Sequence, residues 1–124
     1  MAQDVLTTSK VTPTPAEKDI FPIRAVDHVE FIVGNAKQSA HYYRSALGFK
    51  LVGYAGLETG SRELASYVLE QGKARLVLTT PIVPDHPYQE HLRQHGDGVK
   101  DISLEVLDVE KSYAETTKRG AKGV

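Results

Sequence analysis

Asp27-His28-Val29-Glu30-Phe31-Ile32-Val33-Gly34-Asn35 is answered further along the chain by Lys100-Asp101-Ile102-Ser103-Leu104-Glu105-Val106-Leu107-Asp108. Residue 27 maps to 100 and residue 35 to 108, a constant offset of 73. Each stretch is an alternating run that ends on a helix-capping residue, Asn35 or Asp108. Beyond Asn35, Ala36, Ala40, Tyr43 and Leu47 recur at helical spacing; the same offset gives Val109, Tyr113, Thr116 and Gly120. Gly48 and Gly120 stand where helices stop. An internal repeat decides architecture before any motif does. The first copy is followed by three strands and the second by the last residue, Val124, so the expectation is a longer protein of which this is the front part.

Between the two copies the pattern is extended. Phe49 to Ala55 is a strand, Gly56 to Gly60 a turn-rich connection and Arg62 to Leu69 a strand. Glu70-Gln71-Gly72-Lys73 is a tight hairpin, and Ala74 to Thr80 is its partner. The first unit therefore reads β-α-β-β-β over about residues 25–82. Pro81, Pro84 and Pro87 end it, and a polar helix near Tyr88 to His95 connects it, within about 85–98, to the second unit at 99–124. Residues 1–20 read as a disordered leader without the apolar core of a secretory signal, leaving one domain over 21–124. An α+β fold of paired βαβββ modules, the second truncated, is the expected architecture, with a ferredoxin-like α+β domain as its competitor. In the first module Val29, Phe31 and Val33 should face the helix, leaving His28, Glu30 and Ile32 to line a concavity. The helix from Asp108 and the strand at Lys100 to Val106 should then keep exposed apolar surface and an open edge.

Composition narrows the function classes. A net charge of −1 supplies no field for nucleic acid or an acidic membrane surface. Zero cysteines exclude disulfides and thiolate metal sites, and a reducing cytoplasm fits. No apolar run approaches the ~20 residues of a membrane span.

Among chemistry-bearing residues, His28 and Glu30 share one strand face and make two-thirds of the two-His, one-carboxylate set that holds non-haem Fe(II). The set stays open: the strand Ala74 to Thr80 offers no further His, Asp or Glu, and Asp101 replaces His28 in the second copy. A hydrogen-bonded or cavity-lining histidine is the alternative. His91 and His95 have i, i+4 spacing, but their helix is polar all round and lacks the His-Glu-x-x-His order. His41 and His86 have no partner visible in sequence. Gly96-Asp97-Gly98 precedes a strand, so it makes no helix N-terminal phosphate cradle. Ser61 and Ser66 lack a neighbouring His/Asp arrangement. No complete active site can be read from these residues: catalytic none, cofactor-binding none, metal none.

Three strings carry a resemblance. Val33-Gly34-Asn35-Ala36-Lys37-Gln38-Ser39-Ala40, Gly56-Leu57-Glu58-Thr59-Gly60-Ser61-Arg62-Glu63 and His95-Gly96-Asp97-Gly98-Val99-Lys100-Asp101-Ile102 resemble the amino-terminal domain of the 4-hydroxyphenylpyruvate dioxygenase family, over Phe21 to Val124. Arg75-Leu76-Val77-Leu78-Thr79 fits that domain's fourth strand. The resemblance implies the vicinal-oxygen-chelate fold. It also implies a whole enzyme that uses Fe(II) to convert 4-hydroxyphenylpyruvate and O₂ to homogentisate and CO₂ in tyrosine catabolism, working as a cytoplasmic homo-oligomer. It places the iron and the substrate pocket in the carboxy-terminal half, so none of the family's metal or catalytic residues transfers to a position here. This segment alone should be inactive, a structural partner to the catalytic half. Two alternatives stand beside it: a fragment of the sister enzyme 4-hydroxymandelate synthase, and a non-catalytic binding module of the glyoxalase or bleomycin-resistance kind.

Overall fold

The computed structural model describes residues 19–123; the proposed leader falls outside them except for Asp19 and Ile20. The chain divides into two units, Ile23–Leu107, and Met1–Pro22 with Asp108–Val124.

In the larger unit the opening alternation becomes strand β1 (Ile23–Ile32). Helix α1 (Ala36–Leu47) follows, capped as its sequence demands. The Asn35 side chain accepts from the Gln38 N–H at 3.0 Å. At the other end Gly48 takes a left-handed φ of 77°, which a side chain would resist. The Phe49 N–H then reaches back to the Tyr43 carbonyl at 3.1 Å, and the two rings meet edge-on at 5.7 Å. Hydrogen bond and apolar contact together make a Schellman ending.

Strand β2 (Lys50–Ala55), a 3₁₀ turn (Leu57–Thr59), β3 (Leu64–Gln71) and β4 (Ala74–Pro81) complete the β-α-β-β-β order. Gln71 pairs with Ala74 across the hairpin, and Gly72 at φ 57° supplies the positive φ that a two-residue loop needs. Helix α2 (Pro87–His95) leads into β5 (Gly98–Val106). The sheet order is β2-β3-β4-β1-β5. β1 lies inside it, parallel to β4 and antiparallel to β5.

Val33, Ala36, Ala40, Leu69 and Leu78 form the buried core, with Phe31, Tyr43, Phe49, Tyr67 and Leu76 packed around it. Leu69 and Leu78 are fully buried, each contributing about 1.5–3 kcal/mol of hydrophobic stabilisation. The helix thus covers the face carrying Phe31 and Val33, as its periodicity requires. Two positions depart from the expected pattern. Leu47 lies on the apolar stripe, yet at the last turn of α1 it is 48% exposed. Ile32, assigned to the concave face, is buried because at the end of β1 its register neighbours Thr79 and Gly98 flank it on both sides.

In the smaller unit, α3 (Val109–Lys118) is capped by Asp108, whose side chain accepts from the Lys111 N–H at 3.0 Å.

Candidate functional site

The sheet face opposite α1 carries a polar row. Register puts Ser66, Thr79 and Ile32 in one line across β3, β4 and β1, and Val68, Val77 and Glu30 in the next. Across β1 and β5, Glu30 stands opposite Asp101 and His28 opposite Ser103.

Thr79 anchors one half of this row. It is fully buried, and its hydroxyl donates to Glu30 Oε1 at 2.8 Å while lying 2.9 Å from Ser66 Oγ. A buried hydroxyl needs such partners. The second Glu30 oxygen takes the Lys100 ammonium at 3.0 Å. Lys100 also sits over the Tyr88 ring, 5.6 Å from its centroid. Its pKa is raised, chiefly by the hydrogen bond to Glu30, so it stays cationic.

His28 anchors the other half. The β1–β5 register slips between Val26 and His28, a bulge that leaves Asp27 without a partner on β5 and sets its carboxylate against the neighbouring ring. His28 Nδ1 lies 2.7 Å from Asp27 Oδ2, and Nε2 lies 3.1 Å from Ser103 Oγ. Arg75 reaches Asp27 at 3.2 Å and Glu70 at 2.6 Å. The Asp27 carboxyl is held below the ordinary carboxylate range, first by its hydrogen bond to His28, with burial opposing and the Arg75 charge assisting.

His28 and Glu30 do share a face, but they are drawn to different partners. Both ring nitrogens of His28 and both carboxylate oxygens of Glu30 are engaged. Among the described residues no group of three or more His, Cys, Asp or Glu is placed to hold a metal ion. These donors do not fit an iron site. His91 and His95 have their rings 4.9 Å apart on α2, beside Arg93, which is paired with Glu90. His86 has a role invisible in its spacing: it caps α2, its Nδ1 accepting from the Tyr88 N–H at 3.1 Å. His41 Nε2 lies 3.4 Å from Ser45 Oγ on the exposed side of α1. Asp97, between its two glycines, accepts the Gly34 N–H at 2.8 Å and so ties the loop before β5 to the end of β1. Ser61 donates to the Leu64 carbonyl. Sequence reasoning missed Ser103 and Thr79, since only long-range strand pairing brings either to its partners.

Residues 25–124 match the family described as the Glyoxalase/Bleomycin resistance protein/Dioxygenase superfamily. The chain belongs to that superfamily. Members named 4-hydroxyphenylpyruvate dioxygenase resemble it over most of its length. The one from Dictyostelium discoideum is 46% identical over 79% of this chain and 27% of its own length. That from Aspergillus fumigatus is 38% identical over 98% of this chain and 34% of its own. The chain therefore spans about a quarter to a third of the curated relatives it matches. Among solved structures, a mutant 4-hydroxymandelate synthase from Streptomyces coelicolor superposes with a TM-score of 0.77 at 27% identity, over 83% of this chain and 32% of that one. Methylmalonyl-CoA epimerase from Mycobacterium tuberculosis, at 19% identity and a TM-score of 0.68 over 81% of this chain and 67% of that one, shares the fold. The superfamily's vicinal-oxygen-chelate fold is the architecture of this chain. No helix among the described residues is long and apolar enough to cross a membrane.

Proposed function

We propose that this chain supplies the amino-terminal, non-catalytic portion of a 4-hydroxyphenylpyruvate dioxygenase, which converts 4-hydroxyphenylpyruvate and O₂ to homogentisate and CO₂. The observation that carries the reading is the set of relatives of that name at 37–46% identity, each matched over a quarter to a third of its length. On this reading 21–124 is one vicinal-oxygen-chelate domain: a first module at about 25–82, a connecting helix within 85–98 and the start of a second module at 99. Fe(II) is the cofactor, and its ligands belong to the carboxy-terminal half. In the dioxygenase reaction the residues here serve structure. Glu30 ties β1 to β4 through Thr79 and to β5 through Lys100, and this cross-strand bonding suits a scaffold face better than an open coordination site. The enzyme is a cytoplasmic homo-oligomer.

The solved 4-hydroxymandelate synthase favours a second reading, in which the whole protein hydroxylates the benzylic carbon of the same substrate. Sequencing the coding region past Val124 and assaying the encoded protein with 4-hydroxyphenylpyruvate and Fe(II) tests both. Homogentisate is the expected product, from a continuation carrying two His and one Glu on strands of further βαβββ modules. 4-Hydroxymandelate would transfer the assignment to the synthase. A stop codon at that point with a folded, ligand-binding product would overturn both.

A further inference from the structure

We propose that Ser103 is an activated nucleophile, with His28 as its general base and Asp27 as the group that orients the base, able to accept the acyl group of a small activated carboxylic ester. The proposal stands apart from the dioxygenase reading, since it uses only residues of this chain.

The geometry has three links. Ser103 Oγ is 3.1 Å from His28 Nε2, and Asp27 Oδ2 is 2.7 Å from the opposite ring nitrogen. Both separations fall within the reach required of a nucleophile, its base and the base's orienter. Such a constellation is recognised by geometry and roles, independent of chain order. An ionised Asp27 can only accept, so His28 carries its proton on Nδ1 and turns the Nε2 lone pair towards the serine hydroxyl. Arg75 keeps Asp27 in place at 3.2 Å and is itself held by Glu70 at 2.6 Å. The imidazole is 27% exposed and Ser103 is half-buried, so a small molecule can reach the pair.

In the reaction Ser103 Oγ attacks the ester carbonyl and forms the new C–O bond. Its proton passes to His28 Nε2, and the ester C–O bond breaks with its electron pair leaving on the alkoxide or phenolate. The imidazolium then returns its proton to the leaving group or to solvent. The Lys100–Glu30 pair lies two residues along β1, roughly 7 Å away, and keeps a cation on the same face.

The test is acetylation of the 124-residue chain by p-nitrophenyl acetate, read by intact mass and peptide mapping. One acetyl group on Ser103 is expected. Ser103→Ala should abolish that adduct, and His28→Gln should slow its formation about 100-fold. Ser45→Ala, which removes the serine that faces His41 without a carboxylate, should react like the parent. Should His28→Gln lose its folded circular dichroism, Asp27→Asn carries the same test, with an expected loss of at least about tenfold. Acetylation confined to lysines or other serines, or a Ser103 adduct that forms at the parental rate in the folded base or orienter variant, would overturn the proposal.

Discussion

The β1–α1 and β5–α3 segments begin with the same local signals and end in different surroundings. Asn35 and Asp108 each accept a backbone N–H three residues on, both at 3.0 Å. Yet the first two stripe positions of α1, Ala36 and Ala40, are buried, whereas Val109 and Tyr113, their repeat partners on α3, are 72% and 60% exposed. The strands differ in the same way. β1 has β4 on one side and β5 on the other, while β5 pairs among the described residues with β1 alone and keeps Ile102 and Leu104 exposed. A cap and a periodicity are enough to write a helix. Burying its stripe takes strands that arrive from elsewhere in the chain: for α1, Leu69 of β3 and Leu78 of β4.

The sharpest way to break this contrast is to empty the buried side. Leu78→Ala should cost about 2–5 kcal/mol in urea unfolding, while Ile102→Ala on the exposed strand should cost under about 1 kcal/mol. Equal losses would mean that both copies are packed alike. The polar face offers the next largest effect. Thr79→Val keeps shape but removes the donor to Glu30, and about 1–3 kcal/mol should be lost; a neutral result in the same assay would show Glu30 re-solvated without it. The caps come third. Asn35→Ala should lower global stability by about 1 kcal/mol. Asp108→Ala should instead show as faster amide exchange confined to 109–118, with the unfolding midpoint unmoved. The smallest effect belongs to Asp27. Its folded pKa is depressed, so its contribution is present above the ordinary carboxylate pKa of about 3.9 and is lost as pH falls through the lower folded value. The gap in thermal midpoint between the parent and Asp27→Asn should persist at neutral pH and close on acidification below about pH 4. A gap independent of pH would assign the effect to something other than ionisation.

The same contrast separates what neighbouring residues dictate from what distant strands supply. The N-cap at Asn35, the stop at Gly48 and the hairpin at Gly72 are local chemistry, and each falls where its spacing predicts. Boundaries shift where propensity is weak: β1 begins at Ile23, ahead of the alternating run that opens at Asp27, and β3 begins at Leu64 rather than Arg62, because its pairing with β4 starts only there. The polar face is less legible. His28 and Glu30 announce a shared face through their i, i+2 spacing, but Thr79 reads as one more polar position on a strand. Its burial depends on pairing with β1, 49 residues away from Glu30 in sequence, and Ser103 meets His28 across 75 residues. No window of sequence contains those encounters.

The interior place of β1 in the sheet has a kinetic consequence. The β3–β4 hairpin closes a two-residue loop, whereas joining β1 to β4 or β5 must first close loops tens of residues long, losing entropy before any contact compensates. The hairpin should therefore belong to the folding nucleus and β1 should dock late. Destabilising substitutions beside Gly72 should slow folding, while Val29→Ala should chiefly hasten unfolding in a denaturant chevron. The strand that opens the fold in sequence order would then be the last to be zipped into it.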